Sequence, residues 1–471
     1  MEQLQHIIES IQNWIWTYIG ITTLIGCAVY FTVRTRFVQF RLFGDMIRQM
    51  FHSDESDGAS KNGAGYKKSI SSFEAFVVAL ASRIGTGNLA GVATAISVGG
   101  PGAIFWMWVM ALFGSATAFV ESTLAQLYKR TGKDSYYGGP AYYMLHGLHK
   151  RWMGIIFSVL IIMTFGFTNN SMQSNTIAMA WQQAFNIPTI WMGIILMALT
   201  LCIIFGGIHR IARVSSAVVP IMAVVYLLLA VFIVLSHITL LPTVFEMIIS
   251  NAFGVGQFAG GTLGTIVMIG IKRGLFSNEA GEGSAPNAAA TATVSHPVKQ
   301  GLIQALGVFT DTLVVCSCTA LVILCSGVDY TASNGIQLTQ NALIAEIGTV
   351  GSPFIALIIW LFAFSTIIAN SYYGETNLLY FCKRRSVLYI YRCVSGLFVL
   401  AGATMSLEFA WSLVDLCMAL MTLCNLIAIV MLYPKVHYLV KDYTRQRREG
   451  RNPEFHKEQM PEIAGDLDAW E

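Results

Sequence analysis

The stretch Ser82-Arg83-Ile84-Gly85-Thr86-Gly87-Asn88 interrupts a long apolar run, residues 71–98, near its middle. The run is long enough to span a membrane, but glycine, threonine and asparagine are poor helix formers, so we predict a helix that is broken here. Unwound backbone inside a membrane exposes peptide groups that lipid cannot hydrogen-bond. Such a break is stable where it lines a cavity or contacts a ligand, and the alternative is a kink without a function.

A second and more polar interruption lies in the apolar run 259–293. It reads Lys272-Arg273-Gly274-Leu275-Phe276-Ser277-Asn278-Glu279-Ala280-Gly281-Glu282-Gly283. If helices 2–6 form one repeat and helices 7–11 a second, each break falls on the first helix of its repeat. Two repeats with an odd number of spans are inverted relative to each other, and paired breaks in inverted repeats are typical of a transporter's binding site at the membrane midplane. Half-helix N-termini there can hold a carboxylate, and free backbone carbonyls can hold Na⁺.

The composition indicates a membrane protein. Of the 471 residues, 55% are hydrophobic and only 12% charged, and the mean hydropathy is +0.60. Soluble domains carry about 25% charged residues, so we expect an all-α bundle in lipid rather than several soluble domains. The net charge of +3 does not indicate nucleic-acid binding. The nine cysteines form no C-x-x-C pair, which argues against a metal site or a disulfide framework.

Hydropathy predicts about eleven spans of about 20 mostly apolar residues. Their bounds are 14–34, 71–98, 102–128, 153–181, 188–206, 212–237, 259–293, 301–326, 353–382, 388–406 and 409–433. The shorter segments 241–252 and 338–348 are predicted to be surface or re-entrant helices. Residues 1–440 then form a single transmembrane domain, with repeat one at 69–237 and repeat two at 259–433. The charged segment 441–471 is predicted to be a soluble cytoplasmic tail, partly disordered.

Outside the predicted spans, lysine and arginine occur only in alternate predicted loops and in the C-terminal tail. The loops near 99–101, 182–187, 238–258, 327–352 and 407–408 contain neither residue. Since positive residues collect on the cytoplasmic side, the pattern places the N-terminus outside and the C-terminus in the cytoplasm, which requires an odd number of spans. We therefore expect a multi-pass protein of the cell (inner) membrane.

Several ionisable residues fall inside the predicted spans, where charges are costly and commonly functional. The basic residues and their candidate acidic partners are Arg83, Lys272, Arg273, Glu279, Glu282 and Glu375. The favoured interpretation is an internal ion-pair network that closes the cytoplasmic side, and the alternative is a ligand site. Glu121 is interpreted as lying near the cytoplasmic interface, and Asp311 near a helix end is uninformative.

Two further polar patches lie in predicted spans. Residues 168–176 of helix 4 are hydroxyl and amide side chains with one methionine, and they either join helices or coordinate substrate, with substrate favoured for Gln173. In helix 9 the adjacent hydroxyls of Ser365 and Thr366 suit a hard cation. Such hydroxyls also bond to carbonyls of their own helix, so the second signal is weak by itself.

With these residues in place, the chain resembles the alanine/glycine:cation symporter family of bacteria and archaea. The matching strings are 85–96, 99–103, Gly138-Gly139-Pro140, Gln173-Ser174-Asn175, the run Arg273 to Pro286, and Tyr372-Tyr373-Gly374-Glu375. They extend over nearly the whole chain from helix 2 to helix 11. The resemblance implies a LeuT-type five-plus-five inverted repeat with one extra N-terminal helix, and Na⁺-coupled uptake of a small neutral amino acid by alternating access.

The resemblance also implies the site. The substrate carboxylate and amine would be held by the first break and helix 4, at Thr86, Gly87, Asn88 and Gln173. The pocket would be completed by Gly274, Phe276, Ser277 and Thr366. Na⁺, as the coupling ion, would be held by Ala81, Ile84, Ser365 and Thr366. No organic cofactor and no obligate protein partner are implied.

One departure concerns selectivity. Family members that move alanine or glycine often have tryptophan where this chain has Asn370. Asparagine is smaller and its amide both donates and accepts hydrogen bonds, so we predict a pocket that takes a longer polar side chain, with glutamine favoured. Arg83, beside the first break, is a second departure whose role the pattern does not indicate.

Other functions are weighed against this one. Coupling to protons, or exchange, would use Glu279, Glu282 or Glu375 as the carrier. No Walker-type phosphate loop is present, which disfavours ATP-driven transport, and no assembled set of catalytic residues indicates an enzyme. A channel suits paired broken helices less well than a transporter that occludes its substrate.

Overall fold

The computed structural model describes residues 2–51, 70–132, 135–254 and 263–470, which are almost entirely helical. The helices of the first half are α1 (Glu2–Ile15), α2 (Ile21–Arg34), α3 (Val38–Arg41), α4 (Phe43–Phe51), α5 (Ser72–Arg83), α6 (Val92–Gly99), α7 (Gly102–Leu127), α8 (Pro140–His146), α9 (Arg151–Ile161), α10 (Asn170–Phe185), α11 (Thr189–Ile204), α12 (Gly207–Ser236) and α13 (Leu241–Ala252). Two short antiparallel strands, β1 (Arg130–Thr131) and β2 (Tyr136–Tyr137), follow α7.

The second half of the chain is also almost entirely helical. Its helices are α14 (Leu263–Asn278), α15 (Ala285–Ala289), α16 (Pro297–Val308), α17 (Ser317–Cys325), α18 (Ile336–Ile347), α19 (Gly351–Phe381), α20 (Arg385–Thr404) and α21 (Leu407–Arg448). Short 3₁₀ helices lie at Gly348–Val350, Lys457–Gln459 and Ala464–Asp466. Four π-helical stretches join neighbouring helices, at Trp16–Gly20, Gly87–Gly91, Ile162–Asn169 and Phe309–Cys316. In the core, α7 packs against α14 and α16, and α19 packs against α10.

Among the described residues, eight helical stretches are long and apolar enough to cross a membrane, and nine if the bent pair Ser72–Arg83 and Gly87–Gly99 is one span. The two other predicted spans correspond to α11 and α14, each of 16 residues. Of these, α14 begins where the described residues resume after position 262. The order of the elements therefore follows the predicted arrangement, while the count of eleven stays a prediction.

The first predicted break is present. Helix α5 begins at a capping box formed by Ser71 and Glu74 and ends at Arg83. The chain then bends by 47° before it continues as the π-helical stretch and α6. Ile84, at the turn, has φ −77° and ψ 89°, which a helix cannot accommodate.

The second break lies later than predicted. Helix α14 continues through Asn278, so the residues 272–278 that were expected to be unwound are helical. The open segment is 279–284, where Gly281 and Gly283 have φ of +95° and +83°. Their backbone N–H groups donate to the carboxylate of Glu121 at 3.2 and 3.1 Å. The turn conformation that glycine permits and this buried acceptor fix the position of the break, and the distant acceptor is not visible in the local composition.

The C-terminal tail also differs from expectation. Helix α21 runs to Arg448, across the predicted domain boundary at position 440, and the segment 449–470 folds back onto the bundle. Phe455 N–H donates to the carbonyl of Ser295 at 2.9 Å. The indole N–H of Trp470 lies 3.1 Å from the carbonyls of Gln126 and Leu127. Since its apolar side chains are buried, the tail is an ordered part of the fold.

Candidate substrate and cation site

The first break packs against the C-terminal end of α14, just before the second break. A Cβ added to Gly87 would lie 3.0 Å from the Cα of Ser277 and 3.2 Å from the Cδ1 of Phe276. The first break therefore approaches α14 with backbone against backbone, which only glycine permits. Thus Gly87, Phe276 and Ser277, all predicted for one pocket, are neighbours.

Helices α10 and α19 close the same region from the other side. The backbone N–H of Thr86 donates to the Oε1 atom of Gln173 at 2.9 Å. A Cβ on Gly85 would lie 2.7 Å from that oxygen and 2.4 Å from the hydroxyl of Thr366. The Nε2 atom of Gln173 in turn donates to Asn169 at 2.8 Å, which fixes the orientation of the amide. Gln173 of the polar patch of helix 4 thus faces the first break, whereas Ser171 and Asn175 bond to α20 and the residue after it.

The predicted cation ligands come together beside the break. The hydroxyl of Thr366 lies 2.8 Å from the carbonyl oxygen of Ala81 and 3.3 Å from that of Ile84. Both carbonyls end α5 and are not used by a continuing helix. Ser365 is on the same turn of α19, but its hydroxyl donates to the carbonyl of Phe362 at 2.8 Å. Two carbonyls and one or two hydroxyls form the kind of oxygen set that a hard cation prefers.

Asn88 connects the first break to a residue that sequence analysis set aside. Its Oδ1 atom accepts from the N–H of Gly85 at 2.9 Å, and its Nδ2 atom donates to Asp311 at 2.6 Å and to Ser277 at 3.1 Å. Asp311 is completely buried in the π-helical stretch Phe309–Cys316. The available signal was an aspartate within a predicted span, which is rare unless it has a function.

Asn370 lies in a second polar cluster. The hydroxyl of Ser82 is 2.8 Å from the Oδ1 atom of Asn370 and 2.5 Å from the Oε1 atom of Glu279. The other oxygen of Glu279 accepts from Ser284 at 2.5 Å. Among the described residues, the Nδ2 atom of Asn370 is buried without a hydrogen-bond partner. This cluster joins the first break, the second break and α19.

One predicted pocket residue does not join the others. A Cβ on Gly274 would contact Met107 at 3.3 Å and Met110 at 3.5 Å, so this glycine faces α7. The assignment assumed an unwound segment, whereas the intact helix turns position 274 away from the first break. Phe276, by contrast, packs edge-to-face on Trp411 of α21, with ring centroids 4.8 Å apart.

The predicted ion-pair network includes a group at one end of the bundle. Lys272 and Arg273 both contact the carboxylate of Asp415, at 3.0 and 2.5 Å, near the start of α21. The guanidinium of Arg273 also lies 3.8 Å from the ring centroid of Trp411. This group closes the side on which α14 and α21 begin, whereas the tail docks at the other side. The group therefore lies at the end of the bundle opposite the docked tail, and which end is cytoplasmic stays a prediction from charge.

The remaining intramembrane charges have separate partners. Glu375 forms a two-pronged ion pair with Arg392 at 2.8 Å. Arg83 donates to the carbonyl of Gln304 at 3.1 Å, and none of the described residues accepts a hydrogen bond from its Nε and Nη2 atoms. Glu121 is no interface residue, because it is fully buried and caps the second break. These contacts leave Glu279 and Glu282 as the acidic residues of the break itself.

Comparison with known proteins places the chain among transporters. It is 47% identical over 468 residues to the probable sodium/glutamine symporter GlnT of Bacillus subtilis (strain 168), covering 99% of this chain and 96% of that protein. It is 46% identical over 465 residues to the amino-acid carrier protein AlsT of the same organism, covering 99% and 97%.

Solved structures support the fold. The fold matches a mutant of the manganese transporter of Eremococcus coleocola with a TM-score of 0.52 and 15% identity, covering 88% of each chain. It matches MhsT in complex with L-phenylalanine with a TM-score of 0.52 and 12% identity, covering 77% of this chain and 97% of that one. These are LeuT-fold transporters, which confirms the predicted architecture.

The family assignment follows from a match along almost the entire sequence. The model of the sodium:alanine symporter family matches residues 1–457. This confirms the resemblance drawn from the sequence strings, and with it a cation-coupled amino-acid transporter rather than an enzyme. The chain belongs to the sodium:alanine symporter family.

Proposed function

We propose that this symporter imports glutamine together with Na⁺, and that alanine and glycine are weaker substrates. The relative GlnT, at 47% identity, is named a probable sodium/glutamine symporter. The observation that carries the choice of glutamine within this chain is the hydrogen bonding of Asn370.

Ser82 has one hydroxyl proton but faces two acceptors, Glu279 at 2.5 Å and the Oδ1 atom of Asn370 at 2.8 Å. Turning the Asn370 amide by 180° lets its unpaired Nδ2 atom donate to Ser82 while Ser82 donates to Glu279. The Nδ2 atom of Asn370 and the hydroxyl of Ser82 then each donate to an acceptor, and the carbonyl of Asn370 is left free. A free buried carbonyl accepts a hydrogen bond from the primary amide of a glutamine side chain, which alanine and glycine lack.

The α-amino and α-carboxylate groups of the substrate are placed at the first break. We assign them to Thr86, Gly87, Asn88 and Gln173, with Phe276 and Ser277 on the facing helix. The hydroxyl of Thr86 is buried and has no hydrogen-bond partner among the described residues, so it is available to a ligand. Gly274 is left out of this set because it faces α7.

Na⁺ is a co-transported substrate in this scheme. We propose that it binds the carbonyls of Ala81 and Ile84 and the hydroxyl of Thr366. This hydroxyl oxygen lies 2.8 Å from the carbonyl oxygen of Ala81 and 3.3 Å from that of Ile84. Ser365 supplies a fourth oxygen if its hydroxyl turns away from the carbonyl of Phe362. An ion here bridges the first break and α19, so its binding favours a closed arrangement of those two elements.

The proposal includes an orientation. The distribution of lysine and arginine supports an N-terminus outside and a C-terminus in the cytoplasm of the cell (inner) membrane. Repeats at 69–237 and 259–433 would alternate access to the site between the two sides. No obligate protein partner is needed for this cycle.

A proton is the second candidate for the coupling ion, and one observation favours it. Glu282 is buried beside the second break, and none of the described residues donates to its Oε1 atom. A buried unpaired carboxylate binds a proton to avoid the cost of an isolated charge. Glu375 is less suitable than the sequence suggested, because Arg392 neutralises it.

The experiment that tests the proposal is uptake by purified protein in proteoliposomes, competed with a panel of amino acids. We expect unlabelled glutamine to compete at least about tenfold better than alanine, because one unmatched buried hydrogen bond is worth that much. Uptake that follows a pH gradient without Na⁺, and that is lost in Glu282→Gln, would select the proton instead. Equal competition by alanine and glutamine would contradict the substrate assignment.

A further inference from the structure

A cavity lies between the end of α2 and the later part of α21, away from the substrate and cation site. Its volume is about 670 Å³, which is large enough for a small ligand or a lipid headgroup. Its walls carry six lysine and arginine residues but only two acidic residues, Asp442 and Glu449. We call it the basic cavity. Its basic residues are Arg34, Arg36, Arg41, Lys441, Arg445 and Arg448.

The two acidic residues leave most of this charge unpaired. The carboxylate of Asp442 pairs with Arg445, and that of Glu449 pairs with Arg451, which does not line the cavity. Within the described part of the chain, no carboxylate lies at ion-pair distance from the other five basic residues of the cavity. A concave surface with this excess of positive charge attracts anions.

The first wall is formed by the turn after α2. This helix ends at Arg34, and the residues Arg36 and Phe37 have φ of +56° and +54°, so the chain turns through two left-handed residues. The guanidinium of Arg41, at the end of α3, reaches back to donate to the carbonyl of Thr35 at 3.4 Å. The turn therefore gathers three arginines at one end of α2.

The second wall is one face of α21. Lys441, Arg445 and Arg448 are spaced four and three residues apart, which places them on the same side of the helix. Partial burial, and then the positive charges of Arg36 and Arg448, lower the pKa of the Arg41 guanidinium. The two walls thus hold like charges close to each other, and an anion bound between them would relieve the repulsion.

The position of the basic cavity favours a lipid over a free anion. The predicted spans next to it end at residues 34 and 433, so the cavity begins where the hydrocarbon of the membrane ends. Val33, Phe37 and Phe40 are exposed beside it, and aromatic side chains are typical of this depth. A phospholipid would use both features, with its phosphate in the cavity and its acyl chains on the apolar side chains. Inorganic phosphate would use only the charge.

We propose that the basic cavity binds the phosphate group of an anionic glycerophospholipid from the leaflet on the side of the docked tail. At this junction α2 packs against α21, and the guanidinium of Arg34 lies 5.6 Å from the ring centroid of Tyr433. A phosphate that contacts both walls ties the N-terminal helices to the last helix, so its binding stabilises the folded bundle. The inference does not depend on which amino acid or coupling ion is transported.

The test is equilibrium binding of radiolabelled phosphatidylglycerol to the purified, delipidated full-length protein in a neutral detergent. We expect saturation at about one molecule per chain, with an affinity at least about tenfold higher than that for phosphatidylcholine. Bound phosphatidylglycerol should also raise the thermal midpoint of the protein. Equal affinities for the two lipids would overturn the proposal. So would inorganic phosphate that competes as well as phosphatidylglycerol, because the site would then be one for a free anion.

Variants test the assignment to the two walls. Arg36→Gln combined with Lys441→Gln removes one exposed charge from each wall, and the affinity for phosphatidylglycerol should fall by about 10–100-fold. The matched control is Arg384→Gln combined with Arg385→Gln, which removes two exposed charges outside the cavity on the same predicted side of the membrane. Its affinity should stay within about threefold of that of the wild type. Without added lipid, both double variants should unfold at the wild-type thermal midpoint, because exposed side chains contribute little to stability.

The site would be overturned if Arg36→Gln with Lys441→Gln bound phosphatidylglycerol as tightly as the wild type. It would also be overturned if the control pair lost as much affinity, since the lipid would then respond only to the overall positive charge. The exchange Arg36→Lys with Lys441→Arg keeps both charges and should bind within about threefold of the wild type. A loss there as large as in the glutamine pair would show that altered structure, not charge, causes the effect.

Discussion

Asn370 sets the expected selectivity at the scale of a single residue. Asn370→Trp replaces a small amide by a large ring and removes the carbonyl that we assign to the glutamine side chain. The ratio of glutamine to alanine uptake should fall by about 10–200-fold, the range that one pocket contact supplies. Competition between labelled alanine and unlabelled glutamine measures this ratio. Alanine uptake serves as the internal control for folding. An unchanged ratio would contradict the assignment of Asn370 to the glutamine side chain.

Gly85 is a second residue with a testable role, because the Cβ atom that any other residue would add has no room there. Gly85→Ala would place a Cβ 2.4 Å from the hydroxyl of Thr366 and 2.7 Å from Gln173, so the break can no longer close on α10 and α19. Uptake should drop by at least about 100-fold, given the cost of overpacking a buried contact. Gly26→Ala is the control, because a Cβ there meets nothing within 4 Å. Comparable uptake by the two variants would contradict this account of the site.

Sequence could predict residues whose chemistry is tied to a break. Thr86, Gln173 and Thr366 are polar groups in apolar spans that the family resemblance assigns to the site, and the structure brings them together. Asp311 was missed because its importance depends on which helices surround it. Gly274 was misplaced because a one-turn error in the start of a break changes the face on which a residue lies.

At the scale of elements, the shape of the second break depends on a distant acceptor. Glu121→Ala would leave two backbone N–H groups, at Gly281 and Gly283, without their acceptor. Each buried donor left unsatisfied costs about 1–3 kcal/mol. The thermal midpoint of the detergent-solubilised protein should therefore fall strongly in this variant. Glu121→Gln keeps one acceptor oxygen, so its thermal midpoint should lie between those of the wild type and Glu121→Ala. Equal midpoints for the wild type and Glu121→Ala would contradict the role of Glu121 as the cap of the second break.

The docked tail is a second element whose behaviour can be measured. Trp470→Ala removes a buried ring that packs 4.6 Å from the ammonium of Lys129, together with its indole hydrogen bonds. The loss of a buried tryptophan costs about 3–5 kcal/mol, so the tail should open and trypsin should cut at Arg451 and Lys457 at least about tenfold faster. Trp152→Ala is the control, since this tryptophan is 61% exposed. Equal cleavage rates would show that Trp470 does not hold the tail.

Composition located these elements but not their limits. The Gly-rich run predicted a break in helix 7. That the break starts at Glu279 follows from the carboxylate of Glu121 on α7, which accepts hydrogen bonds from the segment. The charge of the tail suggested a soluble segment. Its five buried apolar side chains are spread thinly among polar residues, so no periodic pattern revealed that they dock. Their positions are Phe455, Met460, Ile463, Leu467 and Trp470.

At the scale of the whole molecule, the sequence was most informative. Apolar runs predicted an all-α membrane bundle, and the spacing of the two breaks predicted the inverted-repeat architecture that the comparisons confirm. The bundle and its repeats could be predicted because they depend on length, hydropathy and the cost of unpaired backbone in lipid. They do not depend on the position of any one side chain. Orientation stays a prediction from charge alone.

The central claim is that a Na⁺ gradient drives an amino acid uphill through this bundle. The direct measurement is accumulation of labelled glutamine in proteoliposomes with an inward Na⁺ gradient as the only driving force. We predict a transient internal concentration above the external one, which disappears when K⁺ replaces Na⁺ or when an ionophore collapses the gradient. Glutamine that merely equilibrates, or accumulates equally without Na⁺, would contradict the account.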